Sequence, residues 1–100
     1  METTTKDVLM KEIVKCLKPE KEIERIIIFG SYLNSKNPND IDIAIFQNSK
    51  EKYLTLAMKY RKLTRGIAQK IPVDIIPINS NAPENSFMSE INAGELIYEK

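Results

Sequence analysis

The chain has no histidine and no tryptophan, and it carries a single cysteine. Without histidine it lacks the commonest general base and the commonest transition-metal ligand, so any catalysis must fall to carboxylates. One cysteine, Cys16, cannot close an internal disulfide. No stretch reads as a signal peptide or a membrane span, so a reducing cytoplasm is the expected setting, with no membrane partner. Charge of one sign is also missing: 15 basic against 14 acidic residues leave a net charge of +1. That balance gives no global pull toward nucleic acid or an anionic surface, and no direct nucleic-acid binding is expected.

What is present suits a folded core. An apolar fraction of 42% and charges of both signs along the chain argue against disorder, and 100 residues suit a single domain, expected to span 1–100. The spacing of Val8, Leu9, Ile13, Cys16 and Leu17 predicts a first helix over 4–18, stopped by Pro19. Cys16 is expected to be buried in its packing face. A β-branched and aromatic run at 24–29 predicts a strand closed by Gly30, and 32–39 should be a loop, with room for one helical turn at its start. A second strand covers 41–47.

Tyr53, Leu56, Ala57, Tyr60, Leu63 and Ile67 recur at intervals of three or four, which predicts one long helix over 51–67. Its basic residues and their neighbours, Lys59, Arg61, Lys62, Arg65 and Lys70, read as a solvated face. A third strand is expected at 72–78, with Pro77 pointing to a sheet edge or to an early end of the strand. A polar loop and a short helix through Phe87, Met88 and Ile91 follow, and ELIYEK is a closing strand or extended tail. The fold class is therefore α/β (α+β): a mixed sheet of three or four strands packed against helices.

The stretch FGSYLNSKNPNDIDIAIF carries the chemistry. Side chains on a strand alternate between faces, so Asp40 and Asp42 share one face while Ile41, Ile43 and Ile45 take the other. Asp74 opens the third strand, and if the second and third strands are neighbours, three carboxylates converge. Such a cluster repels itself and invites a hard cation, for which Mg2+ with its oxygen ligands is the natural choice. Gly30 and Ser31, directly after a strand, can offer backbone N–H groups to phosphate. Each signal alone is bland, a turn or a solvated strand face. Their order is the specific feature.

The ordered set resembles the minimal nucleotidyltransferases of the DNA polymerase beta superfamily, whose signature is Gly-Ser, a spacer, Asp-x-Asp leading a strand, and a later Asp. The matching residues are Gly30, Ser31, Asp40, Asp42 and Asp74, and the tail GELIYEK matches as well. The resemblance implies a polymerase beta-like fold and transfer of a nucleoside monophosphate from ATP or another NTP to an acceptor hydroxyl. In that scheme Asp40, Asp42 and Asp74 are both the catalytic and the metal residues, holding two Mg2+ ions. Gly30 and Ser31 hold the terminal phosphates. The spacer, YLNSKNPN, is shorter than usual and has Leu33, Asn34 and Ser35 where a basic residue is expected; Lys36 is the candidate replacement in nucleotide binding. Tyr32 beside the turn is a candidate for modification, for stacking on a base, or for packing.

Short members of this type resemble the antitoxin half of HEPN/MNT toxin-antitoxin pairs, so the implied partner is a helical HEPN ribonuclease that receives AMP on a tyrosine. Two alternatives stand beside this reading. One is a weak or inactive antitoxin acting by contact alone. The other is a subunit that adenylylates a small molecule together with a helical partner chain.

Overall fold

The structure is a computed structural model that describes residues 5–36, 38–82 and 86–100, the side chains of Thr5, Ser86 and Phe87 excepted. Helix α1 (Thr5–Leu17) leads into β1 (Ile23–Phe29), a single 3-10 turn (Gly30–Leu33), and β2 (Ile41–Gln47). Helices α2 (Tyr53–Leu63) and α3 (Arg65–Ala68) carry the chain to β3 (Val73–Asn79), and α4 (Ser86–Asn92) precedes β4 (Glu95–Glu99). The four strands form one mixed sheet in the order β3-β2-β1-β4. β1 runs antiparallel to both β2 and β4, and β2 runs parallel to β3. The tail at 95–99 is therefore a true strand, and of the two readings of Pro77 the edge position holds, since β3 is an edge strand that runs past it to Asn79.

Alternation along the strands divides the apolar residues between two faces. On one face Ile26, Ile28, Ile41, Ile43, Ile45 and Ile75 pack against Leu9, Ile13 and Leu17 of α1 and Leu56 and Tyr60 of α2. On the other, Ile27, Phe29, Ala44, Phe46 and Ile78 meet Met88 and Ile91 of α4. Gly94 makes the last strand possible: a Cβ there would strike the Ile28 carbonyl oxygen and lie 2.9 Å from the Phe29 Cβ.

The long helix predicted over 51–67 is broken at Thr64, which is buried and adopts φ −102° and ψ 17°. Its hydroxyl donates to the Tyr60 carbonyl at 2.9 Å, a local bond that competes with helical continuation. Tyr53, predicted to face the core, is 58% exposed, because α2 begins there, beyond the sheet-covering part of the helix. Val8 is likewise exposed, and Cys16 is only half-buried against the first core cluster. The predicted basic face holds for Arg61, Lys62, Arg65 and Lys70, which are exposed. Lys59 instead bridges Glu20 at 2.7 Å and Glu22 at 2.9 Å, and Lys70 pairs with Glu12 at 2.7 Å. Tyr60 adds a hydrogen bond from its hydroxyl to Glu22 at 2.9 Å, so this network ties α2 to the turn before β1.

Candidate active site

The parallel pairing of β2 and β3 sets Asp42 directly opposite Asp74, and the antiparallel pairing of β1 and β2 sets Phe29 opposite Asp42. Ile41 and Ile43 are completely buried in the helix-covered face, so Asp42 projects from the other face. One carboxylate oxygen from each of Asp40, Asp42 and Asp74 lies within 4.8 Å of the other two. The three predicted acids thus converge at one end of the sheet. Asp40 and Asp42 are half-buried, while Asp74 is exposed.

Asp42 bears the electrostatic consequence. Its pKa is pushed up to about 6, first by burial, then by the charge of Asp40, then by its hydrogen bond with Asp74 and the Asp74 charge. Among the described residues no lysine or arginine forms an ion pair with any of the three. An uncompensated set of hard oxygen donors in this arrangement fits a divalent cation of the magnesium type.

Gly30 builds the adjoining wall. Its φ of +82° lies in the left-handed region, and a Cβ there would collide with the Asp42 carboxylate, so conformation and space both require glycine. Ser31 follows in the 3-10 turn and is exposed; its carbonyl accepts from the Ser35 backbone N–H at 2.9 Å and from that of Asn34 at 3.1 Å. The predicted turn after β1 is therefore present, with Gly30 against the acids.

Lys36 is exposed. It lines a cleft of about 580 Å³ with Lys6, Tyr32, Lys70 and Pro72, on the α1 side of the same sheet end. The sequence reading missed this gathering, since Lys6, Lys36 and Lys70 come from three distant segments and share no local pattern. Tyr32 is a core residue here, 2% exposed, and burial followed by the Asp7 charge raises its pKa.

Comparisons with known proteins bear on the fold and the family. None of the curated proteins matches the chain at the level of sequence. The fold is shared with an MNT antitoxin in complex with a tri-AMPylated HEPN toxin from Shewanella oneidensis (TM-score 0.66, 20% identity, 96% of this chain and 74% of that one). It is also shared with a toxin-antitoxin complex containing AMP-PNP (TM-score 0.64, 19% identity, 91% and 73%) and with the MntA–HepT toxin-antitoxin (TM-score 0.61, 16% identity, 93% and 72%). The sequence profile described as "Polymerase beta, Nucleotidyltransferase" matches residues 11–100, which include Gly30, Ser31 and all three acids. The chain belongs to the polymerase beta nucleotidyltransferase family.

Proposed function

We propose that this protein is a magnesium-dependent nucleotidyltransferase that moves AMP from ATP to a hydroxyl of a partner protein, as the antitoxin of a HEPN ribonuclease. The observation that carries the reading is the convergence of Asp40, Asp42 and Asp74 beside Gly30. The partner class is supported by the fold shared with antitoxins bound to HEPN toxins, one of them AMPylated. A nucleotide is supported by the similar complex that holds AMP-PNP.

In this reading Asp40, Asp42 and Asp74 hold the metal, and Gly30 with Ser31 receives the terminal phosphates. Bound magnesium offsets the charge of the acids and of the triphosphate. Asp74 is the exposed acid, so it is the one an incoming hydroxyl meets. It takes the proton as the hydroxyl oxygen bonds to the α-phosphorus and pyrophosphate leaves.

A second reading, an antitoxin acting by contact alone, is favoured by the position of Lys36. The one basic residue of the shortened spacer lines the cleft on the α1 side, whereas Asp42 projects from the other face. Incubation with ATP labelled at the α-phosphate, magnesium and a HEPN ribonuclease separates the two. Label on a tyrosine of the partner, lost in Asp42→Asn, supports transfer. Neutralisation of the ribonuclease without label supports contact.

A further inference from the structure

We infer that the cleft behind the three acids is a second ligand site, one that takes a small phosphate ester with an apolar body, of about mononucleotide size. Three lysines line it, from α1, the loop after the 3-10 turn and the α3–β3 connection: Lys6, Lys36 and Lys70. Two of them are held in place. The Lys6 ammonium donates to the Ser35 carbonyl at 2.7 Å and sits 5.4 Å from the centroid of the Tyr32 ring, and Lys70 is fixed by Glu12 at 2.7 Å.

An ammonium has three donors, so each keeps hydrogen-bonding capacity for an anion after these contacts. Glu12 offsets the charge of Lys70, which leaves Lys6 and Lys36 as the principal anchors. Leu9, Ile71 and Pro72 give the cleft an apolar wall suited to a ring or a base rather than to a bare inorganic ion. The volume of about 580 Å³ lies within the range of small-molecule sites.

Tyr32 closes the inner wall of this cleft as a core residue, with the Lys6 ammonium over its ring. The site is separate from the acids: Tyr32 belongs to the helix-covered core with Ile41 and Ile43, whereas Asp42 projects from the opposite face. It therefore does not depend on the proposed transfer reaction.

The test is amide-resolved NMR titration of the whole chain with AMP in excess chelator, so that no metal reaches the three acids. AMP is expected to shift Lys36, Asn39 and Ile71 at millimolar concentration or below, and Asp42→Asn is expected to bind equally well. Exposed Lys36→Gln should weaken binding by about tenfold, the loss of one charged hydrogen bond, and Lys6→Gln by a similar factor. Phosphate and adenosine titrated separately show which half of the ligand contributes. Shifts confined to Gly30, Ser31 and the acids, unchanged affinity in both lysine variants, or no shift at all would overturn the site.

Discussion

Replacing Asp42 with asparagine should make the metal-free protein more stable at neutral pH and less able to respond to magnesium. The Asp42 carboxyl is held at about 6, against an ordinary value of 3.8. Because its folded pKa is the higher one, the folded state binds more protons than the unfolded state between about pH 4 and 6, and stability falls as pH rises through that window. Two units correspond to about 2.7 kcal/mol as a ceiling, and partial solvent exposure reduces this to on the order of 1–2 kcal/mol. Asparagine keeps the shape, removes the charge, and can still donate to Asp74. Thermal unfolding in chelator at pH 7.5 should then show the variant melting about 5–10 °C higher. At pH 4, where Asp42 is protonated in the wild type, the advantage should vanish. A variant no more stable than wild type at pH 7.5, or equally advantaged at both pH values, would refute the reasoning that like charge and burial load this carboxylate.

Other substitutions test the walls of the site and the fold behind it. Gly30→Ala must adopt a positive φ and drive a methyl into Asp42, so it should lose at least about 1–2 kcal/mol of stability, and with it magnesium-dependent nucleotide binding by calorimetry. Gly94→Ala should push β4 off β1, visible as loss of amide-exchange protection in Leu96 and Tyr98 while β2 stays protected. Glu22→Ala should cost about 1–3 kcal/mol in denaturant unfolding, because it strips a partner from Lys59 and leaves the Tyr60 hydroxyl unpaired. Burial opposes ionisation of Glu22, but its bonds from Lys59 and Tyr60 outweigh that and lower its pKa. Its contribution is therefore present above its unfolded pKa and lost as pH falls through the folded value, the opposite sense to Asp42.

Where each structural cue is local, the sequence is legible. IDIAIFQ gives β2 its bounds because an apolar run, buried everywhere but at Asp42, begins at Ile41 where the polar loop ends, and its side chains alternate between the two faces of the sheet. The same alternation assigns Asp40 and Asp42 to one face, and their meeting with Asp74 needed only the parallel neighbour that a helical crossover supplies. The break at Thr64 was hidden because the residue fits a helix by pattern and departs from it through a hydroxyl bond to Tyr60 that spacing does not encode. Tyr53 was misplaced for a related reason: periodicity gives the phase of a helix but not how far it overlies the sheet. The lysine-lined cleft was invisible, since it is made by the packing of α1 and the approach to β3 on the loop that carries Lys36.

The central claim, that Gly30 and the three acids form a metal-nucleotide site, is tested most directly by thermal unfolding of wild type and Asp42→Asn with ATP, with and without magnesium. Saturation at a hundredfold over the dissociation constant stabilises a protein by about 2.7 kcal/mol. The account predicts a shift of that order for the wild type with magnesium and ATP together, and little with either variant or chelator. An equal shift in Asp42→Asn, or a wild-type shift that survives chelation undiminished, would contradict it.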